Sequence, residues 1–321
     1  RKIYRHLQQV LQQVREITDI TTFTTQQPTV LTIGTFDGVH LGHQKIVERV
    51  VTTAHQEGLL ATVFTFFPHP RMVVQHDKGL KLIHTLEEKK QLLQQLGVDL
   101  LVVQPFNEAF AQLTAEEFVS TILVQRLNVK KVIIGYDHRF GRNRTANIDD
   151  MRLFGEKYGF AVEEISVQEV DEVSVSSTKI REALNKGDVS TAEHYLGTPY
   201  SLTGTVVHGL KLGRTLGYPT ANIQVTEDYK LIPKDGVYAV YSYIGGRKVY
   251  GMMSIGKNPT IKGKGASIEV YFFDFNGDLY DQKLTIEFVQ YLREEQKFAT
   301  IDLLKKQLQD DETAARKAIA V

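Results

Sequence analysis

The sequence predicts an α/β chain in two parts: a parallel sheet covered by helices, then an antiparallel barrel or sandwich closed by a terminal helix. Three observations lead there. From Thr29 to about Asn185, near-continuous Val/Ile/Leu runs alternate with amphipathic helical stretches, the pattern of strands buried on both faces. From Ser201 onward, strand-like runs follow one another with Gly, Asn and Asp between them, as in antiparallel barrels and sandwiches. A length of 321 residues also exceeds what one core usually fills.

The elements follow in order. TVLTIG reads as a strand and HQKIVERVVTTAHQEG as its helix; LLATVFTF is followed, after a loop, by the helical TLEEKKQLLQQLG. VDLLVVQPF, the helix-like TAEEFVSTILVQRLN, VKKVIIG and GFAVEEISV complete the first part. In the second, SLTGTVVHG, DGVYAVYSYIG, RKVYGMMSIG, SIEVYFFDF and QKLTIEFVQYL read as strands, and TIDLLKKQLQDDETAARKAI as the last helix. The break is expected near Lys186 to Pro199, giving domains 1–185 and 200–321 joined by a linker, 186–199. No internal repeat or low-complexity tract interrupts them.

Composition narrows the function classes. Apolar residues make up 42% and charged residues 24%, as in an ordinary globular protein. Lys+Arg and Asp+Glu each total 38, so the formal net charge is zero. That balance argues against a general nucleic-acid binder, though not against a local basic patch around a phosphate. With no cysteine, disulfides, thiolate metal sites and cysteine nucleophiles are excluded and a reducing cytosol is permitted. No apolar run approaches the ~18 residues of a membrane helix. RKIYRHLQQVLQQVREI starts basic but carries Gln where a signal peptide needs an apolar block. A cytoplasmic protein is expected, without nucleic-acid or membrane partners, as a monomer or weak homo-oligomer.

Chemistry gathers first in TVLTIGTFDGVHLGH, Thr29 to His43. Gly34 ends the strand, and Gly38 permits a backbone approach that a β-carbon would block. A helix beginning around His40 offers free N–H groups and its positive dipole end to an anion. His40 and His43 share a face of its first turn, and Gly42 between them leaves room for a phosphate. Such imidazoles suit charge developing on a transferring phosphorus. A metal pair or two surface histidines is the plainer alternative, although no HExxH pattern is present. SVSSTKIREAL, Ser174 to Leu184, places hydroxyls at a helix start with Lys179 and Arg181 in its first turns. The hydroxyls read equally as caps, but cations there are unfavourable to the helix, and a ligand phosphate would explain them.

A second group lies in HGLKLGRTLGYPTANI, His208 to Ile223. It is not a Walker loop: Gly209 to Gly213 encloses three residues, Arg214 replaces the lysine, and no long helix follows. A surface loop is the plain reading. Thr220 and Asn222 alternate in an extended segment, so two neutral oxygen donors share a face, which suits Mg²⁺ beside nucleotide phosphates. In SIEVYFFDFNGDLY, alternation puts Glu269 with Tyr271 and Phe273. A carboxylate there either points to solvent or, semi-buried, serves as general base for an alcohol.

GTFDGVHLGH with SSTKIR resembles the nucleotidylyltransferase superfamily. IGTFDGVHLGHQKIV, FTFFPHPR and GYDHRFGRNR are similar to the adenylyltransferase half of bacterial bifunctional riboflavin kinase/FAD synthetases. GRTLGYPTAN, DGVYAV, SIGKNPT, IEVYFFDF and LREEQKF resemble the flavokinase domain, in order. The resemblance implies a Rossmann-like nucleotidylyltransferase domain with a parallel sheet, then an antiparallel β-barrel flavokinase domain with a terminal helix. It further implies that His40, His43, Ser177, Thr178 and Arg181 handle ATP phosphates, with Gly34, Phe36, Asp37, Gly38 and Gly42 against the nucleotide. Pro68, His69, Pro70, Asp137, His138 and Phe140 would line the flavin end, His138 standing where relatives usually carry an aromatic apolar residue. In the kinase half, Gly209, Gly213, Arg214 and Thr215 would cover the phosphates of ATP. Thr220 and Asn222 would bind Mg²⁺–ATP, Glu269 would take the proton of the riboflavin hydroxyl, and Arg293 would belong to the flavin pocket. ATP, riboflavin and FMN are then substrates of two reactions: riboflavin to FMN, and FMN to FAD with release of pyrophosphate. A single-activity nucleotidylyltransferase and a flavin-carrying protein with decayed sites are the rival readings.

Overall fold

The computed structural model describes residues 13–136, 138–166, 175–209, 212–256 and 267–320, with the side chains of Leu212 and Arg214 left out. The chain forms two compact units, Arg1–Ser176 and Ser177–Val321.

In the first, the strands are β1 (Arg15–Ile17), β2 (Thr29–Ile33), β3 (Leu60–Phe67), β4 (Leu100–Pro105), β5 (Val129–Gly135) and β6 (Ala161–Ile165). All pair parallel, in the order β1-β4-β3-β2-β5-β6. The helices are α1 (Leu41–Glu57), α2 (Pro70–Val74), α3 (Leu86–Gln95), α4 (Glu108–Ala111), α5 (Ala115–Glu117) and α6 (Ile148–Tyr158). All five residues of β2 are buried, because the sheet is covered twice. Leu31, Ile33 and Phe64 pack with Phe118, Leu123 and Met151 on one face. On the other, Val63 and Leu101 meet Val47 and Leu93, and Val30 meets Val50 and Ala54. The chain reverses its direction of travel at β2, which lies between β3 and β5. Parallel sheets bind ligands beyond the carboxyl ends of their strands at such a reversal. The GTFDGVHLGH stretch leaves β2 at that end.

Two local features depart from the expected elements. TAEEFVSTILVQRLN is one turn of α-helix, α5, continuing as a π-helix over Phe118–Arg126. Ser120 and Thr121 donate their hydroxyls to the carbonyls of Glu116 and Glu117 at 2.8 and 2.5 Å, competing with the regular ladder. Strand β1 lies in the Gln-rich N-terminal stretch, where no strand is expected; three residues are too few to show a period.

The second unit opens with α7 (Ser177–Lys186) and α8 (Val189–Leu196). Strands β7 (Ser201–Val207), β8 (Ala221–Gln224), β9 (Gly236–Ile244), β10 (Arg247–Gly256), β11 (Ser267–Phe272) and β12 (Lys283–Arg293) close an antiparallel barrel in the order β10-β11-β8-β7-β12-β9. The short α9 (Leu212–Leu216) lies between β7 and β8, and α10 (Ile301–Ile319) ends the chain. Strands β7 and β11 alternate buried and half-buried residues without a break, as closure around one interior requires. Outside the barrel, Ala239, Met252 and Phe273 pack with Ala315 of α10. Helix α7 packs on α8, and α8 on β12, which makes α7 compact with the barrel.

Candidate active sites

The first site is built by the turn after β2. Phe36, Gly38 and Val39 have φ of 47°, 91° and 40°, three left-handed residues in four. For Val39, a β-branched residue, this is a strained conformation of the kind that gathers at ligand sites. At Gly38 any β-carbon would also stand 2.9 Å from the Ile83 Cδ1. The turn ends at His40, the N-cap of α1, whose Nδ1 accepts from the His43 backbone N–H at 3.4 Å. In a neutral ring this leaves the proton on Nε2 as a donor.

The His40 and His43 rings stack, with centroids 3.6 Å apart and planes 17° from parallel, and Phe36 meets His43 edge-on at 5.2 Å. Burial pushes the His40 imidazole down to about 4. Burial, then the His40 and Lys89 charges, push His43 well below the usual histidine range. Both rings are therefore neutral at pH 7. The Nδ1 of His43 is buried without a hydrogen-bond partner, a cost that a bound anion's proton or an N–H donor would relieve. Incoming phosphate charge raises imidazole proton affinity, so the pair is set to respond to a polyphosphate.

Asp37 is buried, and its Oδ1 accepts from the Ile83 N–H at 2.9 Å; it braces the turn from within. At the ends of the strands flanking β2, His69 caps α2 through a bond from the Arg71 N–H to its Nδ1 at 3.2 Å, with Pro68 and Pro70 beside it. Beyond β5, His138 is half-buried and neutral, burial holding it down to about 4. Its Nε2 has no hydrogen-bond partner. Phe140 is a core residue, its ring 6.4 Å from Phe118 and 6.5 Å from Phe154, and the His138 ring lies nearly parallel to it, centroids 6.0 Å apart. Asp137 lies outside the described residues.

Ser177, Thr178 and Arg181 open α7, as the motif predicted, and belong by compactness to the second unit. Within the barrel, the structure joins Glu269 to the Thr220–Asn222 pair, read apart from it in the sequence. Asn222 of β8 and Glu269 of β11 are register partners, and Ser254 of β10 continues the row. The Thr220 hydroxyl donates to Glu269 Oε2 at 3.0 Å, and the Ser267 hydroxyl to Oε1 at 3.2 Å. Gly209 closes over them: a β-carbon there would fall 2.2 Å from the Asn222 Nδ2. The Gly213 carbonyl accepts from the Tyr218 N–H at 2.8 Å, and the Tyr218 ring sits edge-on to Tyr271 at 5.0 Å, which ties down the loop carrying Thr220. Thr215 is exposed on α9; the Arg214 side chain lies outside the described residues.

Mg²⁺ fits this donor set. Among the described residues, no group of three or more His, Asp or Glu is placed so that it could hold a metal ion. The set is neutral oxygens around one carboxylate, and Mg²⁺ typically joins few protein oxygens to water and substrate phosphate. Arg293 is already engaged, its fork gripping buried Asp311 through Nε at 2.7 Å and a terminal nitrogen at 2.6 Å. Gln307 donates to the same carboxylate at 2.9 Å. That pair ties the end of β12 to α10.

Sequence reasoning missed Ser267 and Lys89. The first was recoverable from strand alternation, two residues before Glu269. Lys89 stood in an ordinary helical pattern, and its Nζ is found donating to the Thr35 carbonyl at 2.7 Å.

A family model described as FAD synthetase matches residues 22–179, and one described as riboflavin kinase matches 196–319. A bifunctional riboflavin kinase/FMN adenylyltransferase of Listeria monocytogenes is 41% identical over 289 residues, covering 89% of this chain and 91% of that protein. The enzyme of the same description from Bacillus subtilis is 39% identical over 296 residues, covering 90% and 92%. A crystal structure described as a macrolide-efflux protein from Streptococcus pneumoniae superposes with a TM-score of 0.85 at 34% identity, covering 95% of this chain and 99% of that one. Among the described residues here, no helix is long and apolar enough to cross a membrane.

Proposed function

This chain belongs to the bifunctional riboflavin kinase/FMN adenylyltransferase family, and on that premise we propose which residues carry each step. The C-terminal part phosphorylates riboflavin with ATP to FMN; the N-terminal part adenylates FMN with ATP to FAD and releases pyrophosphate. We assign 1–185 to the adenylyltransferase, 186–199 to a linker and 200–321 to the kinase; the family matches end at 179 and begin at 196, while by compactness α7 and α8 belong with the barrel.

In the kinase step, Glu269 takes the proton of the riboflavin 5′-hydroxyl as that oxygen bonds the γ-phosphorus and ADP leaves. Thr220 and Ser267 hold the carboxylate in place, and Thr220 and Asn222 would hold Mg²⁺. When bound, that ion supplies neutralisation of the charge developing on the phosphates. Gly209, Gly213, Arg214 and Thr215 cover the nucleotide, and Arg293 shapes the flavin pocket by fixing α10 on β12.

In the adenylation step, an FMN phosphate oxygen bonds the ATP α-phosphorus while the bond to the β-phosphate oxygen breaks. His40 and His43 steady the departing pyrophosphate; for Ser177, Thr178 and Arg181, at the start of α7, we keep the ATP-phosphate role that the motif resemblance implies. Gly34, Phe36, Asp37, Gly38 and Gly42 shape the turn against the nucleotide. Pro68, His69, Pro70, Asp137 and His138 line the flavin end, with Phe140 as its floor. No protein nucleophile is required in either step, and catalysis is positioning and charge stabilisation, in which proximity is worth up to about 7–11 kcal/mol. The enzyme works on soluble substrates, in our reading in the cytoplasm, as a monomer or weak homo-oligomer and without nucleic acid.

The stacked, neutral His40–His43 pair carries this reading. Full-length His40→Ala incubated with riboflavin, ATP and Mg²⁺, its products separated over time, is expected to accumulate FMN and form no FAD. Loss of both products from a folded variant, or normal FAD, would refute the division.

A further inference from the structure

Lys89 is a buried cation for which neither reaction has yet found a use. Its place follows from local sequence. Thr85 and Glu88 form a capping box, Thr85 Oγ1 accepting from the Glu88 N–H at 3.2 Å and Glu88 Oε2 from the Thr85 N–H at 2.9 Å. This fixes the start of α3, and Lys89 follows in the first turn, on the face that also buries Leu93. Only 4% of Lys89 is exposed, which is rare for lysine.

The ammonium is directed at the turn after β2. It donates to the Thr35 carbonyl at 2.7 Å, and the Thr65 hydroxyl donates to the same oxygen at 3.1 Å. Thr35 immediately precedes the left-handed stretch Phe36–Val39. Two residues on, Asp37 is held by the Ile83 N–H at 2.9 Å, and its charge favours protonated Lys89. The turn is thus clamped twice by the segment from Ile83 to Lys89. Burial pulls the Lys89 ammonium down to about 8, so a residue serving only to fill space here would be better apolar.

We propose that Lys89 is a positioning residue of the adenylation site: it pins the Thr35 carbonyl so that the left-handed turn keeps its amides and the histidine pair set for a triphosphate. The proposal rests on the reading of that pair as the phosphate site. It acts through the turn, with no contact to substrate required.

The test uses the full-length chain as parent, Lys89→Met, Thr65→Val and His40→Ala, with riboflavin phosphorylation in each preparation as the control. Lys89→Met is expected to lower kcat for FAD formation from FMN at least tenfold, while riboflavin phosphorylation stays within twofold. The acid limb of kcat/KM is expected to move to higher pH, because His43 loses a neighbouring cation that holds its ring neutral while Asp37 remains. A loss of rate with an unmoved limb makes Lys89 merely structural and overturns the proposal, as does FAD formation within twofold of the parent. Where Lys89→Met does not melt cooperatively, Thr65→Val carries the test: a threefold or greater fall in kcat supports pinning, and an unchanged kcat overturns it. His40→Ala separates the layers, since FAD formation surviving that change removes the phosphate site itself.

Discussion

Replacing Glu269 by Gln changes one proton-accepting group and almost nothing else. The carboxylate accepts from Thr220 Oγ1 at 3.0 Å and from Ser267 Oγ at 3.2 Å. A glutamine carbonyl can keep the Thr220 bond, and its amide can donate to the Ser267 hydroxyl, so the local network and the β8–β11 register survive. What disappears is the ability to take the proton of the attacking hydroxyl. A positioned general base is worth about 10²–10⁴ in rate, or roughly 3–5 kcal/mol of barrier. Initial rates of FMN formation from riboflavin should fall by that factor, with the KM for ATP changing much less. FMN adenylation by the same molecule should stay within twofold, showing an intact chain. Riboflavin phosphorylation within tenfold of the parent would mean that Glu269 is not the base.

Two further outcomes concern stability. His40 is held neutral in the fold down to about pH 4, whereas in the unfolded chain it protonates near 6.5. The unfolded state therefore binds more protons between these values, and stability should decline as pH falls from about 6.5 to 4, by up to about 3 kcal/mol. Urea unfolding across that range checks this, with His40→Asn flattening the slope; a flat parent profile would contradict the burial. Asp311→Ala leaves the Arg293 guanidinium, 19% exposed at its side chain, without its carboxylate. A loss of about 3–5 kcal/mol is expected, read as a lowered melting transition of the C-terminal unit, and an unchanged transition would show the fork to be idle.

How much of this was legible depended on how far apart the cooperating residues stand in the chain. The strand, turn and N-cap that build the first site are neighbours from Thr29 to His43. Their glycine spacing and their two histidines on one helical face are local consequences of backbone geometry, and the structure keeps them. Thr220, Asn222 and Glu269 were each visible, yet their meeting depends on a sheet register between residues 47 positions apart, Asn222 and Glu269. A strand period tells which face a residue takes, but not which strand will lie beside it.

The sequence by itself determined the alternation of buried runs and helices, the caps and the glycine-opened turns, since each is a short-range preference of a few consecutive residues. Tertiary structure alone decided that Lys89, one of two adjacent lysines in a polar helix, would lie beneath Thr35. It also decided that Arg293 would be spoken for by Asp311. Burial is a property of what packs on top of a residue, and no residue carries that information alone.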